Sequence, residues 1–287
     1  MLKSVIIGTN GTLILIRTTI MNTTITINIL GTRGSVPVSG AAYALYGGAT
    51  SCVSVSCKDT RIFLDAGSGI ICAPCAAEAN VAVMLSHFHL DHMIGLPFFK
   101  TLFDKKSSVA IYGRMRSEKS LADALQVLLS PPYWPVGIHD YPADTALYDI
   151  EPHFSFGDFT VDTMEGAHPG GSTIYKLSAG DKSFVYATDF EHNEIVNDEL
   201  IHFAKNTDLL LYDAQYTESE YQPHFGFGHS TPEVGIRIAK KAGAKRLLFT
   251  HHAPEHTDEM IAALEESIQK EYPFAGFAKA GTEIILS

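Results

Sequence analysis

The sequence predicts an α/β fold in which two β-sheets pack face to face and helices cover their outer faces. Two observations support this prediction. Short β-branched or alternating segments precede helical segments, and this order occurs twice along the 287 residues. No linker or charge run divides the chain, whose 46% hydrophobic content suffices for a large core. We therefore predict one domain over residues 24–287, with two similar halves.

The first half contains strands followed by a helix. TITINIL (24–30), SCVSVSC (51–57) and RIFLD (61–65) alternate or are β-branched and are separated by Gly-rich turns. VAVMLS (81–86) is continuously apolar, as expected for a strand buried on both faces. SEKSLADALQVLLS (117–130) has apolar residues at helical spacing, with Ser117 or Ser120 as its cap.

The second half repeats this order. Strands are predicted in HFSF, DFTVDTM, STIYKLS and SFVYATD, then in TDLLLYD and KRLLFT. Helices are predicted in STPEVGIRIAKKAG and TDEMIAALEESIQKEY. In the first of these, Ser230 and Glu233 have capping-box spacing, and Pro232 suits an early helical position.

Residues 1–23 form an N-terminal extension of uncertain status. Their apolar stretch is interrupted by Asn10, two glycines and Arg17, which argues against a signal peptide or a membrane span. Either the segment adds a strand or it precedes a natural start at Met21, and we favour the second interpretation.

Composition limits the partners and the compartment. The net charge of −11 argues against a surface that holds duplex nucleic acid. Cys72 and Cys75 have the spacing of a zinc or redox half-site, but no second pair accompanies them, so structural thiols are predicted. The cysteine content suits a reducing compartment, and we expect a cytoplasmic protein without membrane attachment.

The stretch LSHFHLDHMIGLPFF (85–99) concentrates polar groups after a predicted buried strand. His87, His89, Asp91 and His92 lie there, where α/β folds collect their chemistry. Histidine with carboxylate suits a zinc, iron or manganese site. The first two residues can face one way and the last two follow as a helix begins, which predicts two metal ions. Further candidate ligands at strand ends are Asp65, His168, Asp189, Asp213, His229, His251 and His252.

HFHLDH, preceded by the aspartate of FLDAGSG and followed by His168, Asp189 and His251, resembles the motif series of the metallo-β-lactamase superfamily. ILGTRGSVP, GHST before a helix and THHAP resemble its phosphodiesterase branch, which includes ribonuclease Z and cyclic-nucleotide and cyclic-phosphate phosphodiesterases. The resemblance implies an α/β, four-layer αββα sandwich with two mixed sheets. It also implies two divalent metal ions, zinc in first place with manganese or iron as alternatives.

The resemblance also implies the roles of individual residues. His87, His89 and His168 would bind one metal ion; Asp91, His92 and His251 would bind the other; and Asp189 would bridge both. Asp65 would orient a ligand from outside the coordination sphere. His251 is preferred over His252 because Thr250 to Pro254 then matches the family pattern without a gap. Asp91 is counted among the catalytic residues as well.

The implied reaction is attack of a metal-bound hydroxide on a phosphodiester. His229 is the candidate proton donor for the leaving group, and Asp213 is its candidate partner. Asp213 stands where ribonuclease Z-like proteins carry glutamate, so a turn-capping role stays open for it. His224 is interpreted as an incidental loop residue.

Substrate size is predicted from what the chain lacks. Only 20 residues separate His168 from Asp189, too few for the tRNA-gripping arm of ribonuclease Z. We therefore expect a small-molecule phosphodiester such as a cyclic nucleotide or another cyclic phosphate, and not a long nucleic acid. The segment 100–152, with Tyr133, Trp134 and Tyr141, is either a substrate lid or an aromatic-proline packing loop.

Alternative functions use the same site. A lactone, ester or thioester hydrolase would depend less on acid catalysis by His229. An RNA-processing nuclease also stays open. A non-catalytic di-iron relative is disfavoured because His89 is intact, where such proteins carry carboxylate. A homodimer is compatible with the sequence.

Overall fold

The computed structural model describes residues 2–9, 12–19, 23–75 and 80–287, the first two ranges as backbone only. The strands are β1 (Leu2–Thr9), β2 (Thr12–Thr19), β3 (Ile25–Gly31), β4 (Cys52–Cys57), β5 (Thr60–Leu64), β6 (Asn80–Met84), β7 (Ser108–Gly113), β8 (Asp144–Asp149), β9 (His153–Phe156), β10 (Phe159–Gly166), β11 (Ser172–Ala179), β12 (Lys182–Ala187), β13 (Leu209–Asp213), β14 (Leu247–Thr250), β15 (Ala275–Phe277) and β16 (Glu283–Leu286). The α-helices are α1 (Leu90–Met93), α2 (Leu121–Leu128), α3 (Glu194–Phe203), α4 (Glu218–Tyr221), α5 (Pro232–Ala242) and α6 (Asp258–Glu271).

Two seven-stranded sheets have similar topologies. The first has the order β16-β3-β4-β5-β6-β7-β8, and the second has the order β15-β14-β13-β12-β11-β10-β9. Strands β5 to β8 run parallel in the first sheet, as do β12 to β15 in the second. The remaining pairs in both sheets are antiparallel. The predicted pair of mixed sheets is therefore confirmed.

Strand β6 shows how the layers are built. Ala82 and Met84 point into the apolar core between the two sheets, whereas Val81 and Val83 pack into a second core with residues of α2. Each strand residue alternates its face, so a strand covered on both sides is apolar throughout. A third core joins the outer face of the second sheet to α5 and α6. The result is the predicted four-layer αββα sandwich.

The helix starts confirm part of the prediction and correct another part. Helix α2 is capped by Ser120, whose hydroxyl accepts the N–H of Asp123. Helix α5 has Pro232 at its first turn as predicted, but its N-cap is Thr231, so the predicted Ser230–Glu233 capping box is wrong. The Ser230 hydroxyl instead contacts His192 and Tyr212, since both groups reach it from inside the fold.

Some elements were not predicted from the sequence: β7, β8, β15, β16 and α3. The sequence of α3, EIVNDELIHF, is largely polar, and Leu200 is its one fully buried residue among those described. The strands are short or half-polar, and only their neighbours in the sheet decide their conformation. Long-range pairing therefore supplies what the local pattern lacks.

Residues 2–9 and 12–19 pair as an antiparallel hairpin separate from the two large sheets, and this pairing does not decide between the two interpretations of the N-terminal extension. Met21, the alternative start, lies outside the described residues. All four cysteines are free, with Cys52 and Cys57 buried and Cys72 and Cys75 exposed. Across the described ranges, none of the helices combines the length and apolar character needed to cross a bilayer.

Candidate metal centre

The candidate site lies where parallel strands of both sheets end. Asp65 follows β5, the segment from Ser86 to His92 follows β6, and Asp189 follows β12. Asp213 is the last residue of β13, and His251 follows β14. Loops at the carboxyl ends of parallel strands collect at one edge of a sheet, and packing two sheets together brings both sets into one cleft. The fold therefore assembles residues from distant parts of the chain.

Three of these residues have an unusual backbone conformation. The φ angles of Asp65, Asp189 and His251 are 61°, 52° and 64°, in the left-handed region that favours glycine. Each costs roughly 1–3 kcal/mol when a side chain with Cβ adopts it. Each lies within two residues of the end of a strand, where the sharp turn directs the side chain into the cleft. Three backbone positions with unfavourable φ angles therefore lie at the site.

The first group of possible ligands comprises His87, His89, His168 and Asp189, whose ligand atoms lie within 4.8 Å of one another. His87 Nδ1 is 3.0 Å from the Ser86 hydroxyl. The Nδ1 of His168 lies 2.9 Å from the carbonyl oxygen of Gly228 and donates to it. These contacts leave the Nε2 atoms of His87 and His168 facing the centre of the group.

The second group comprises Asp91, His92 and His251, which are all buried. His92 donates from Nδ1 to Asp65 at 2.8 Å, so its Nε2 faces Asp91 at 3.2 Å. His251 Nε2 lies 3.3 Å from the same Asp91 carboxylate. The division predicted within HFHLDH, with two residues for each group, is the one that the geometry has.

Asp189 connects the two groups. One of its oxygens, Oδ2, lies 3.6 Å from His87 Nε2 and 3.7 Å from His168 Nε2. The other, Oδ1, lies 3.2 Å from both His92 Nε2 and His251 Nε2. This carboxylate presents one oxygen to each group, as a bridging ligand requires.

The donor set fits divalent metal ions. His87 Nε2 is buried and has no hydrogen-bond partner among the described residues, an arrangement that is unfavourable unless something else occupies its lone pair. Burial lowers the pKa of His87 well below its usual value, which keeps this nitrogen unprotonated and able to bind a metal ion. Burial alone would also lower the pKa of His251, but Asp189 and Asp91 raise it to about 9. The carboxylates therefore favour positive charge in the cleft, and a metal ion can supply that charge in place of a proton.

Asp65 occupies the position expected of a residue that orients a ligand. It is fully buried and accepts four hydrogen bonds, from the backbone N–H and hydroxyl of Ser86, from His92 and from the Tyr186 hydroxyl. Its carboxylate is absent from the possible ligand groups in the described residues. The contact with His92 fixes the direction of that imidazole.

His229 and Asp213 form a buried pair beside the two groups. Asp213 Oδ2 accepts from His229 Nδ1 at 2.8 Å, and its other oxygen accepts the backbone N–H of Gln215. The His229 ring packs on those of His251 and His168, with centroids 4.8 and 5.3 Å away. His229 Nε2 therefore faces the cleft. A third possible ligand group contains His229 with Asp189 and His251. By geometry, this imidazole could therefore serve either as a proton donor or as a metal ligand.

Two glycines allow the close approach of these rings. A Cβ atom on Gly34 would collide with the imidazole of His251. Gly228 has a φ of 92°, and a Cβ atom there would collide with His168. The second glycine of GTRGS and the glycine before HST are thus required by the imidazoles that pack against them.

Other sequence-predicted residues lie elsewhere. His252 donates towards the carbonyl oxygen of Ala278 at 2.9 Å and belongs to none of the possible ligand groups in the described chain, which favours His251. Trp134 donates to Tyr141, which in turn donates to the carbonyl oxygen of Pro97. The packing-loop interpretation therefore holds for these two rings, whereas Tyr133 is exposed.

Three contributors to the site were not singled out by sequence reasoning. Ser86 contacts both Asp65 and His87, and its position directly before the HFHLDH motif is the signal that could have identified it. Gln215 accepts from His251 Nδ1 at 2.9 Å. Glu191 accepts the backbone N–H groups of Gly226 and Gly228 and so fixes the loop before His229. No local pattern indicates the last two.

A model of the β-lactamase superfamily domain matches residues 60–252, which span the whole described cleft. The chain belongs to this superfamily. It is a metal-dependent hydrolase with the metallo-β-lactamase fold, and the predicted resemblance to the ribonuclease Z-like branch is confirmed.

Individual relatives are distant. Ribonuclease Z of Thermoplasma acidophilum is 25% identical over 66% of this chain and 74% of its own length. The structure of the metallo-β-lactamase-fold protein YhfI from Bacillus subtilis superposes with a TM-score of 0.71 at 22% identity, covering 92% of this chain and all of that one. A diphosphatase of the PhnP family superposes with a TM-score of 0.67 at 17% identity, covering 92% of this chain and 97% of that one. At this identity the structural likenesses establish the fold alone.

Proposed function

We propose that this hydrolase is a phosphodiesterase that acts on a small phosphodiester, of the cyclic-nucleotide or cyclic-phosphate class. The observation that carries the proposal is the buried His229–Asp213 pair, which faces a cleft built from two ligand groups with a shared carboxylate. Cleavage of a phosphodiester with a poor leaving group needs both positive charge around phosphorus and a proton for the departing oxygen.

The residues that would hold the metal ions fall into the two possible ligand groups described above. His87, His89 and His168 would bind one ion, Asp91, His92 and His251 the other, and Asp189 both. Imidazole and carboxylate ligands without thiolate are compatible with zinc first, and with manganese or iron. When bound, such ions supply a water of lowered pKa and positive charge for the phosphoryl oxygens.

His229 would act as the general acid. Asp213 accepts from His229 Nδ1 and is itself fully buried, so it fixes the orientation of the imidazole and directs Nε2 into the cleft. As the bond between phosphorus and the leaving oxygen breaks, the proton on Nε2 moves to that oxygen. Neutral His229 then recovers its proton from water. Proton transfer by a positioned imidazole contributes about 10²–10⁴-fold in rate.

The size of the substrate is inferred from the segment between His168 and Asp189. Strands β11 and β12 and the turn between them fill it almost entirely, leaving no chain for a protruding arm. The acidic net charge of −11 also disfavours a long polyanion. An RNA-processing nuclease is the second candidate, because several relatives, including that of T. acidophilum, carry the name Ribonuclease Z.

A substrate panel tests this function. Purified protein loaded with zinc or manganese is assayed against bis(p-nitrophenyl) phosphate, cyclic nucleotides, a precursor tRNA, lactones and thioesters. We expect turnover of the small phosphodiesters. Turnover of lactones or of precursor tRNA without turnover of any small phosphodiester would contradict the proposal.

A variant of His229 tests its role. His229→Ala should keep both metal ions, measured by elemental analysis, and lose about 10²–10⁴-fold in turnover of phosphodiesters with poor leaving groups. The matched control is His224→Ala, because His224 lies in the same loop, where its ring bonds to the carbonyl oxygen of Glu220 and packs against Tyr216 and Phe227. Loss of a metal ion in His229→Ala would make this residue a ligand instead.

A further inference from the structure

A cavity of about 310 Å³ lies against His87 and His89, on the open side of the first ligand group. Its walls are mostly apolar and include Phe88, Leu90, Met93, Ala124, Val127 and Leu128. This volume is at the lower end of the roughly 300–1,000 Å³ found for small-ligand pockets. The cavity can therefore take one aromatic ring system.

The apolar wall is exposed in a way that a structural role does not explain. Val127 on α2 is 62% exposed, and Leu90 at the start of α1 is 65% exposed. Both residues line this cavity. Apolar groups that line a concave site next to reactive side chains are typical of a ligand pocket.

A strained turn supplies the cationic rim of the cavity. Arg116 and Lys119 exchange backbone hydrogen bonds of 2.9 and 2.8 Å, and the residues between them, Ser117 and Glu118, have φ angles of 47° and 63°. Two successive left-handed residues with side chains form the type I′ turn that glycine and asparagine usually supply. The paired residues of such a turn place their side chains on the same face, and both line the cavity.

The two cations differ in how they are held. The Arg116 side chain is only 10% exposed, ion-paired to Glu165 and bonded to the Thr173 hydroxyl at 2.7 Å. Its Nε is buried without a hydrogen-bond partner in the described structure. Lys119 is exposed and forms no salt bridge with any residue that the structure describes. Asp123 also lines the cavity, but its carboxylate accepts from the backbone and hydroxyl of Ser120 and caps α2.

We propose that this cavity binds the retained group of the phosphodiester, an aromatic or nucleobase-sized group, while Lys119 and Arg116 attract its anionic phosphate. This inference rests on the proposed phosphodiesterase function. His229 does not line the cavity and lies against His168 and His251. A phosphodiester between them would place its leaving oxygen at His229 and its retained group against α2.

Two substrates with the same leaving group test the pocket. Bis(p-nitrophenyl) phosphate and methyl p-nitrophenyl phosphate both release p-nitrophenolate, but they retain an aryl and a methyl group respectively. After division by the uncatalysed rates, we expect kcat/KM for the diaryl ester to be at least about tenfold higher, since apolar pockets discriminate on that scale. A ratio near one in the unmodified enzyme would overturn the proposal.

Paired variants of α2 locate the effect. Val127→Trp fills the cavity and should bring the ratio of the two kcat/KM values close to one, mainly by lowering kcat/KM for the diaryl ester. Gln126→Trp makes the same substitution on the neighbouring, exposed residue, which faces a different surface depression. It should leave the ratio unchanged, and thermal unfolding of both variants checks the fold. Equal effects of both variants would overturn the proposal.

A binding measurement separates this inference from the proposed function. Diphenyl phosphate is titrated calorimetrically into the protein, and we expect binding that Val127→Trp and Lys119→Gln weaken about tenfold while Gln126→Trp and Lys105→Gln do not. If no phosphodiester is hydrolysed but this pattern of binding holds, the proposed function fails and the pocket stands. If phosphodiesters are hydrolysed but the four variants bind alike, the pocket is wrong.

Discussion

The two possible ligand groups of the cleft differ in how firmly they are held. In the second group, Asp91, His92 and His251 are all buried, and each imidazole donates from Nδ1 to a side chain that lies outside the group. In the first group, His87 and His168 are also held from outside through Nδ1, but His89 is exposed, and its Nδ1 points at His168, another member of the group, at 3.1 Å.

This difference implies different roles for the two possible ligand groups. Side chains that fix a ligand imidazole typically change metal affinity by 10–100-fold, so the second group is preorganised for tight binding. The first group shares a wall with the apolar cavity and is open to it. We infer that the buried group anchors its ion, while the open group meets the substrate. Three predictions test this comparison.

The largest effect is expected from Asp65→Ala. The substitution leaves the buried donors of His92, Ser86 and Tyr186 without their acceptor, and losing one partner of such a buried network costs about 3–5 kcal/mol. Chemical denaturation should show this loss of unfolding free energy, with metal loss from the second group. The control Glu266→Ala breaks the exposed ion pair with Lys270 and should cost less than about 1 kcal/mol. Equal losses would refute a special role for Asp65.

An intermediate effect is expected from Gln215→Ala. The variant removes the acceptor that holds His251 Nδ1 and should weaken one of two metal-binding steps by about 10–100-fold. Competition with a chromophoric chelator measures both steps, and Gln215→Glu should restore much of the affinity because it keeps the acceptor. Gln222→Ala, on the exposed surface, is the control. Weakening of both steps alike would show that the groups are not distinct.

The smallest effect on stability is expected from His89→Ala. Its exposed imidazole contributes little to packing, so the unfolding free energy should change by no more than about 0.5 kcal/mol in metal-free protein. One metal ion should nevertheless be lost, as elemental analysis can show. His92→Ala, within the buried group, should lose an ion and also destabilise the metal-free fold. If His89→Ala destabilises the fold as much as His92→Ala does, the contrast between the groups is wrong.

The sequence predicts the parts of the fold whose local pattern is strong. Strand β6 is apolar throughout because both its faces are covered, and α5 begins at Pro232. The HFHLDH cluster predicts the division into two groups because its spacing places the last two residues in the first turn of α1. These features depend on neighbours along the chain, which a sequence displays directly.

Other parts depend on contacts that the sequence does not display. Gln215 reaches His251 across 36 positions, and Glu191 fixes the loop before His229 from a different strand end. Ser230 suited a helix cap by spacing, but His192 and Tyr212 compete for its hydroxyl. The cavity beside His89 combines a turn at residues 116–119 with α1 and α2, and no motif marks it.

The sequence positions of the residues in the two groups also determine when each group can form during synthesis. His87 and His89 precede His168 by about 80 positions, and His92 and His251 are 159 positions apart. Contacts this distant in sequence close late in folding, since the loop entropy must be overcome before they contribute. A nascent chain in which residue 251 has not yet been synthesised lacks one member of the second group altogether. An ion bound at that group, as proposed above, would therefore report a completed fold and would link the first half of the chain to its last strands.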